Sequence, residues 1–373
     1  MKVVEVISDM NIGGAGILLI NRMKNTDLNK YRTTVVVPVG SLLRKRFEDI
    51  GVRCIEVNCK GDSSFGMDAV LKYMSILKDL KPDIVNTHGC LSARLAAKLI
   101  GVPVKLCTRH CYFAEGKKHL LRRLGSRLSA ELSDGFIAVA DIVKKQMTDN
   151  GVPEEKITVI INGAEALERS TDEESSRLKS CLSIKDGVCV LGICARLEAC
   201  KGHEWLFETL RILVDDGEEI VALVIGDGSR RAELERLSEQ YGIGESVRFV
   251  GFQKNVSPYM SIIDINVNCS VGTETSSLAL SEGMSIGKPA VVSDFGGNPY
   301  MVRHGENGFV CRCYDSSQMA KYIKKLLHDK ELYSSMCKAA LKRFEEELNA
   351  REMTKKTNLL YDSMLRDCLR ADR

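Results

Sequence analysis

Short apolar runs rich in β-branched residues alternate with helical patterns along most of this chain, in two successive series. The first series is VVEVIS, TTVVVPV, VRCIEV, DIVNTHG, VKLCTRH, GFIAVA and ITVIING; the second is VCVLGICA, IVALVIGDG, VRFVGF, DINVNCS, PAVVSD and GFVCR. Most of these runs are apolar at consecutive positions rather than at every second one. A strand built that way is buried on both faces, as in a parallel sheet with crossover helices on either side. With 373 residues, the chain is long enough for two such domains. The expected class is therefore α/β, with two doubly wound, Rossmann-like domains. Apolar periodicity stops in NGAEALERSTDEESS, so residues 1–165 and 166–350 are read as the two domains. The helical pattern REMTKKTNLLYDSMLRDCL falls in a last segment, 351–373, which is read as a helix crossing back to the first domain.

Composition narrows the functional class. Hydrophobic residues make up 44% and charged residues 28%, the balance of a globular enzyme. A net charge of +3 gives no reason to expect a nucleic-acid partner. Glu5 and Asp9 close behind the first apolar run make MKVVEVISDM a first strand rather than a signal peptide. No apolar run approaches the ~18 residues of a membrane span. The expected location is cytoplasmic, at most peripheral on the inner face of a membrane. The 14 cysteines include no C-x-x-C and are expected as reduced thiols, with Cys107, Cys189, Cys194 and Cys269 in the core. The six histidines lack zinc spacing, so no metal and no cofactor is expected.

In doubly wound sheets a ligand binds beyond the carboxyl ends of the strands. The strand-to-helix junctions are therefore where chemistry is sought. NIGGAG supplies Gly13, Gly14 and Gly16 after the first strand, a tight turn or a close approach to phosphate. His88 follows the fourth strand; Arg109 and His110 follow the fifth, each histidine being either structural or ligand-facing. In GICARLEACKGHEWL, Arg196 and Lys201 form either a solvated loop or a pair of cations for a diphosphate. GDG after the next strand lacks the third glycine of a dinucleotide fingerprint, which disfavours a dehydrogenase.

The stretch GTETSSLALSEGMSIGKP holds Glu274 and Glu282. Read as a helix from Ser276 to Ile286, with Thr275 or Ser276 as N-cap and Gly287 and Pro289 as the stop, it puts Glu282 inside and Glu274 before it. Eight helical residues separate two side chains by roughly 80° and about 12 Å, a poor match to the roughly 5–9.5 Å of a glycosidase pair. Backbone N–H groups of Ser276, Ser277 and Leu278 at the helix start offer an anion site instead. An ordinary amphipathic helix with a solvated glutamate is the alternative.

In their order, these motifs resemble a retaining glycosyltransferase of the large family four, of the GT-B fold, over nearly the whole chain. The carriers are IGGAG, TRH, IINGAE, ARLEACKGHEWL, IGDGSRRAELE, VRFVGF and the E-x7-E segment with GMSIGKPAVVSDFGGNPYMVRHGENGFV after it. The resemblance implies two domains facing a central cleft that closes on a nucleotide-sugar donor. It gives Gly13 and Gly14 to the diphosphate from the first domain, and Arg196 and Lys201 from the second. Glu282 would hold the ribose. Glu274 would face the sugar, with the amides of Ser276, Ser277 and Leu278. Phe252 and Gln253 would lie at the base, and His110 near the transferred sugar. Catalysis would rest on charge stabilisation at the leaving phosphate, with same-face attack and no metal.

Departures limit the carry-over. Thr275 and Ser276 stand where many members have a glycine and an aromatic, which leaves the sugar open. Gly16 replaces an acid. FQKN offers no carboxylate to a guanine, which favours a UDP-sugar. A nucleotide-sugar 2-epimerase and a non-catalytic nucleotide-sugar-binding protein are the competing readings. The segment GKKHLLRRLGSRLSAEL reads as one helix, with Leu120, Leu121, Leu124 and Leu128 along one face and Lys117, Lys118, Arg122, Arg123 and Arg127 around the rest. It is either a core-facing stripe with a solvated basic side or a dock for anionic lipid, the latter implying a saccharide or lipid-linked saccharide acceptor.

Overall fold

The computed structural model describes residues 1–112 and 119–371, without the side chains of 119–122, 124 and 371. The chain divides into two compact units, Met1–Gly163 with Ala350–Arg373, and Ala164–Asn349.

The first unit holds a seven-stranded sheet of β1 (Lys2–Ile7), β2 (Arg32–Pro38), β3 (Arg53–Val57), β4 (Ile84–His88), β5 (Val104–Arg109), β6 (Gly135–Ala138) and β7 (Ile157–Val159). The order is β3-β2-β1-β4-β5-β6-β7, all parallel. The second unit holds a six-stranded parallel sheet of β8 (Cys189–Cys194), β9 (Ile220–Ile225), β10 (Val247–Gly251), β11 (Ile265–Asn268), β12 (Ala290–Ser293) and β13 (Gly308–Cys311). Its order is β10-β9-β8-β11-β12-β13. Both sheets are doubly wound, and each reverses direction once, at β1/β4 and at β8/β11.

The apolar runs explain this. Every residue of β9 is buried, as a central strand covered on both faces requires. Trp205, Phe207, Leu210 and Leu213 on the helix His203–Asp215 pack over β8, β9 and β11. Burial of such side chains contributes roughly 1.5–3 kcal/mol each. Cys107, Cys189 and Cys269 are buried and Cys194 is half-buried; all 14 cysteines are free thiols. Burial, with Glu282 nearby, pushes the Cys194 thiol up to about 12. Among the described residues, no helix is long and apolar enough to cross a membrane.

Of the leucine stripe in the basic segment, only Leu128 has a described side chain. Lys117 and Lys118 lie outside the described residues, as do the side chains of Leu120, Leu121, Arg122 and Leu124. On the helix His119–Glu131, Leu128 is 55% exposed. The residues its C-terminal half buries are Ser129 and Ala130.

Candidate active site

In the second unit Lys201, Glu274 and Ser277 come together at the switch point between β8 and β11, where the strand order opens a crevice, whereas Phe252 and Gln253 follow β10, two strands from β8. Lys201 ends a short 3-10 turn after β8, and Gly202 follows with φ +66°. A Cβ at Gly202 would drive into the Cys269 carbonyl oxygen, so only glycine lets the chain pass this close to the end of β11. Lys201 Nζ thereby reaches Glu274 Oε2 at 2.8 Å. The same oxygen accepts from Ser270 Oγ at 2.9 Å and Asn268 Nδ2 at 3.2 Å. Glu274 is thus buried and held by three donors. Lys201 Nζ also approaches Ser270 Oγ at 3.4 Å. Asn298 Nδ2 extends the network to Asn268 Oδ1 and to Ser293 Oγ. Sequence reasoning missed Asn268 and Ser270; NCS directly after a strand and just before Glu274 was the available signal.

The helix after Glu274 starts later than expected. It runs Leu278–Ser285, and Ser277 is its N-cap, with Oγ accepting from the Leu280 amide at 3.4 Å. Ser276 and Ser277 can both cap; the extended backbone of Ser277 (φ −75°, ψ 114°) decides between them. Of the three amides assigned to an anion, that of Ser277 approaches Met301 Sδ at 3.1 Å. The Leu278 amide remains in the first turn, where helix donors lack intrahelical acceptors. Ser276 Oγ is buried without a hydrogen-bond partner.

Glu282 lies one helical turn further on, half-buried, and burial raises its carboxyl above the usual range. Its influence on the Cys194 thiol places it beside the end of β8. Arg196 is exposed just after β8. Phe252 is 77% exposed after β10, and Gln253 turns back to donate to the Val250 carbonyl at 2.6 Å. Among the described residues, no three His, Cys, Asp or Glu side chains are grouped to hold a metal ion.

In the first unit, Gly13 is the N-cap of the helix Gly14–Lys24, directly after β1. The space where a Gly14 Cβ would stand is open, so a ligand could meet the backbone there. Gly16 is explained by packing, because a Cβ would meet the Leu43 side chain.

At the β1/β4 switch point lies a network that sequence reasoning did not find. Glu5, fully buried on β1, accepts from Arg22 and Tyr361 on one oxygen, the latter at 2.8 Å. Its other oxygen faces Asn86 Nδ2 and His88 Nε2, each at 3.0 Å. Burial alone raises the Glu5 carboxyl, but Arg22, His88 and Tyr361 outweigh it and bring it down to about 2. The ionised carboxylate therefore takes a proton bond from His88 Nε2. In the neutral tautomer that this selects, His88 Nδ1 accepts from His110 Nε2, 2.7 Å away. His110 directly follows β5. Burial, then the neighbouring His88, brings its imidazole down to about 3.

Both units are similar to known proteins. The model of Glycosyltransferase Family 4 matches residues 12–166, and that of glycosyl transferases group 1 matches residues 174–343. The N-acetyl-alpha-D-glucosaminyl L-malate synthase of Bacillus anthracis is 25% identical over 293 residues, 76% of this chain and 76% of its own length. The UDP-Gal:alpha-D-GlcNAc-diphosphoundecaprenol alpha-1,3-galactosyltransferase of Escherichia coli is 24% identical over 278 residues, 71% of this chain and 72% of its own. Among solved structures, Anabaena Alr3699/HepE in complex with UDP superimposes with a TM-score of 0.85 at 20% identity, covering 97% of this chain and 100% of that one. The first unit thus falls to one glycosyltransferase model and the second to another, over two Rossmann-like sheets: the chain belongs to the family-four glycosyltransferases and has the GT-B fold.

Proposed function

We propose that this glycosyltransferase moves a sugar from a UDP-sugar to a saccharide or lipid-linked saccharide, with retention and without a metal. The observation that carries the reading is the grouping at the β8/β11 switch point. Lys201, Arg196 and the start of the helix Leu278–Ser285 put positive charge where a diphosphate would lie. A sugar diphosphate already contains its leaving group. The barrier then lies mainly in the negative charge that develops on phosphate, and fixed cations and amides lower it. The acceptor attacks the same face that the phosphate leaves, and the phosphate takes its proton. The half-buried Glu282 carboxylate suits a pair of ribose hydroxyls, whose donors would replace lost water. Glu274, already locked by three donors, positions Lys201 and lies toward the sugar end. On the first unit, the open space beside Gly14 would admit a phosphate group to the backbone, and His110, directly after β5, would meet a sugar hydroxyl. Phe252 and Gln253 lie at the base, with no acid for a guanine. The UDP in the Anabaena complex and the UDP-Gal named for the Escherichia coli relative support uridine.

The test separates the two glutamates. Glu282→Ala is expected to weaken binding of free UDP about tenfold or more, the loss of a hydrogen bond to a charged group. Glu274→Ala is expected to lower turnover of the donor more than it lowers affinity for UDP. Calorimetric titration with UDP and steady-state rates read both. Equal losses of UDP affinity would end this division of labour.

The acceptor side remains with the basic helix. Arg123, Arg127 and Leu128 are exposed together on His119–Glu131. This supports a peripheral dock on anionic lipid, and the Escherichia coli relative's name specifies a diphosphoundecaprenol-linked acceptor. Co-sedimentation with phosphatidylglycerol vesicles, weakened by salt and by Arg123→Gln with Arg127→Gln, is the expected result. Equal recovery with neutral vesicles would favour a soluble acceptor.

A further inference from the structure

Three arginines are buried among the described residues: Arg22, Arg94 and Arg343. Arg22 holds Glu5 and Arg343 holds Glu347. That is the rule, since a guanidinium leaves water only against a compensating charge. Arg94 breaks it. On the helix Leu91–Leu99 it is 3% exposed, and its partners among the described residues are two neutral hydroxyls. Nη1 donates to Ser129 Oγ at 2.8 Å and to Ser133 Oγ at 3.3 Å, while Nε is buried without an acceptor among the described residues.

A second guanidinium stands beside it. Arg94 and Arg109 line one cavity of about 240 Å³ in the first unit, with Ser64, Ser126, Ser129 and Asn150. Arg109, the last residue of β5, makes no side-chain hydrogen bond or ion pair with a described residue. Among the described residues, no Asp or Glu lines the cavity. Burial, and after it the nearby Asp9, raises the thiol of Cys111 on the cavity wall, but Asp9 pairs with neither arginine. Two cations, one of them almost wholly out of water, therefore face one small space with no anion among the described residues to answer them.

We infer that this cavity binds a phosphate or diphosphate group carried by the acceptor substrate. The inference rests on the glycosyltransferase reading only for the word acceptor; the anion site itself follows from the two arginines. Paired guanidiniums suit an oxyanion with several acceptor oxygens, and serine hydroxyls complete its shell. The location fits an acceptor. Cys111 on the cavity wall directly follows His110, the residue proposed to meet a sugar hydroxyl. An acceptor anchored here by its phosphoryl group would thus have its reactive end fixed near that histidine. The acceptor would be a phosphorylated or diphosphate-linked saccharide, supplied by an earlier reaction that attaches the first sugar to a phosphate.

The test uses the full chain and follows the side-chain Nε–H signals of Arg94 and Arg109 by NMR, assigned with Arg94→Lys and Arg109→Lys. Inorganic pyrophosphate, inorganic phosphate, UDP and phosphatidylglycerol vesicles are added separately. Pyrophosphate is expected to shift both arginine signals, with UDP leaving them in place. Arg109→Gln, whose guanidinium has no partner among the described residues to lose, is expected to weaken pyrophosphate binding at this site about ten- to a hundredfold. Arg94→Met is expected to do the same and serves as the second variant. Pyrophosphate that leaves both signals unmoved overturns the inference. So do UDP shifts at these arginines, which would assign them to the donor, and shifts produced by vesicles alone, which would assign them to a lipid headgroup. A failure of UDP to bind anywhere would instead sink the donor reading, while the pyrophosphate result at Arg94 and Arg109 would stand or fall separately.

Discussion

Arg196→Ala combined with Lys201→Ala is expected to cut sugar transfer by at least about a hundredfold. Each cation contributes a charge-assisted contact of about 1.5–3 kcal/mol if it meets phosphate, and each ~1.4 kcal/mol is a tenfold change in rate. The two changes should differ in their effect on folding. Arg196 is exposed and makes no ion pair with a described residue, so Arg196→Ala should leave Tm unmoved. Lys201 is the cation that answers the buried Glu274 carboxylate. Lys201→Ala should therefore lower Tm measurably, although Ser270 and Asn268 still bond that carboxylate. Transfer rates and thermal unfolding on the three variants decide the matter. Near-normal transfer by the folded double variant would remove both residues from the phosphate site.

Glu5→Ala is expected to be the most destabilising single change, by about 3–5 kcal/mol, the cost of leaving a buried charge without its partner. It strands Arg22, which is 6% exposed, and releases Tyr361, Asn86 and His88 together. For a unit of this size the Tm should fall by roughly 6–20 °C. A loss below about 1 kcal/mol would mean that the network is held by packing rather than by charge.

The same residues set the acid response. Glu5 titrates at about 2 in the fold against 4.5 when exposed, so its stabilisation is complete above pH 4.5 and is lost as the pH falls from there through 2. His110, brought to about 3, and His203, brought to about 4 by burial and then Arg230, take up their protons more readily when unfolded. Between those values and about 6.5 the unfolded chain binds more protons, so stability falls with falling pH. All three act in one direction. The wild type should therefore hold its Tm near neutrality and begin to lose it below about pH 6.5, with Glu5→Ala removing the part of the slope between pH 4.5 and 2.

The strands were readable because a parallel strand buried on both faces writes its burial into consecutive residues, as in IVALVI. The phosphate cations were readable because their place, after β8, follows from the strand order. What local spacing cannot carry is which distant side chains meet. Lys201 and Glu274 are 73 residues apart, and read singly each was matched to a ligand rather than to the other. Glu5 looks like an interruption in VVEVIS until Tyr361, 356 residues on, is seen to hold it. Arg94 sits in SARLAAK as any solvated helical arginine would. Only the packing of Ser129 and Ser133 against it shows that it is buried. The helix start, expected at Ser276, lies two residues on at Leu278, because Ser276 and Ser277 are both able to cap.

The helix Ala350–Ala371 supplies more than Tyr361 to the first unit: Asp362 binds Lys30 and Tyr31, and Thr354 reaches the Arg22 carbonyl. On the ribosome, then, the first domain is begun before the second and finished after it. Its β1 carboxylate must wait, facing an incomplete set of donors, until the whole second domain and the helix Ala350–Ala371 have been made. Synthesis at about 5–20 residues per second makes that a wait of roughly ten seconds or more. A ribosome stalled before the last helix would therefore display a finished second domain beside an unfinished first one, the reverse of the order in which they were begun.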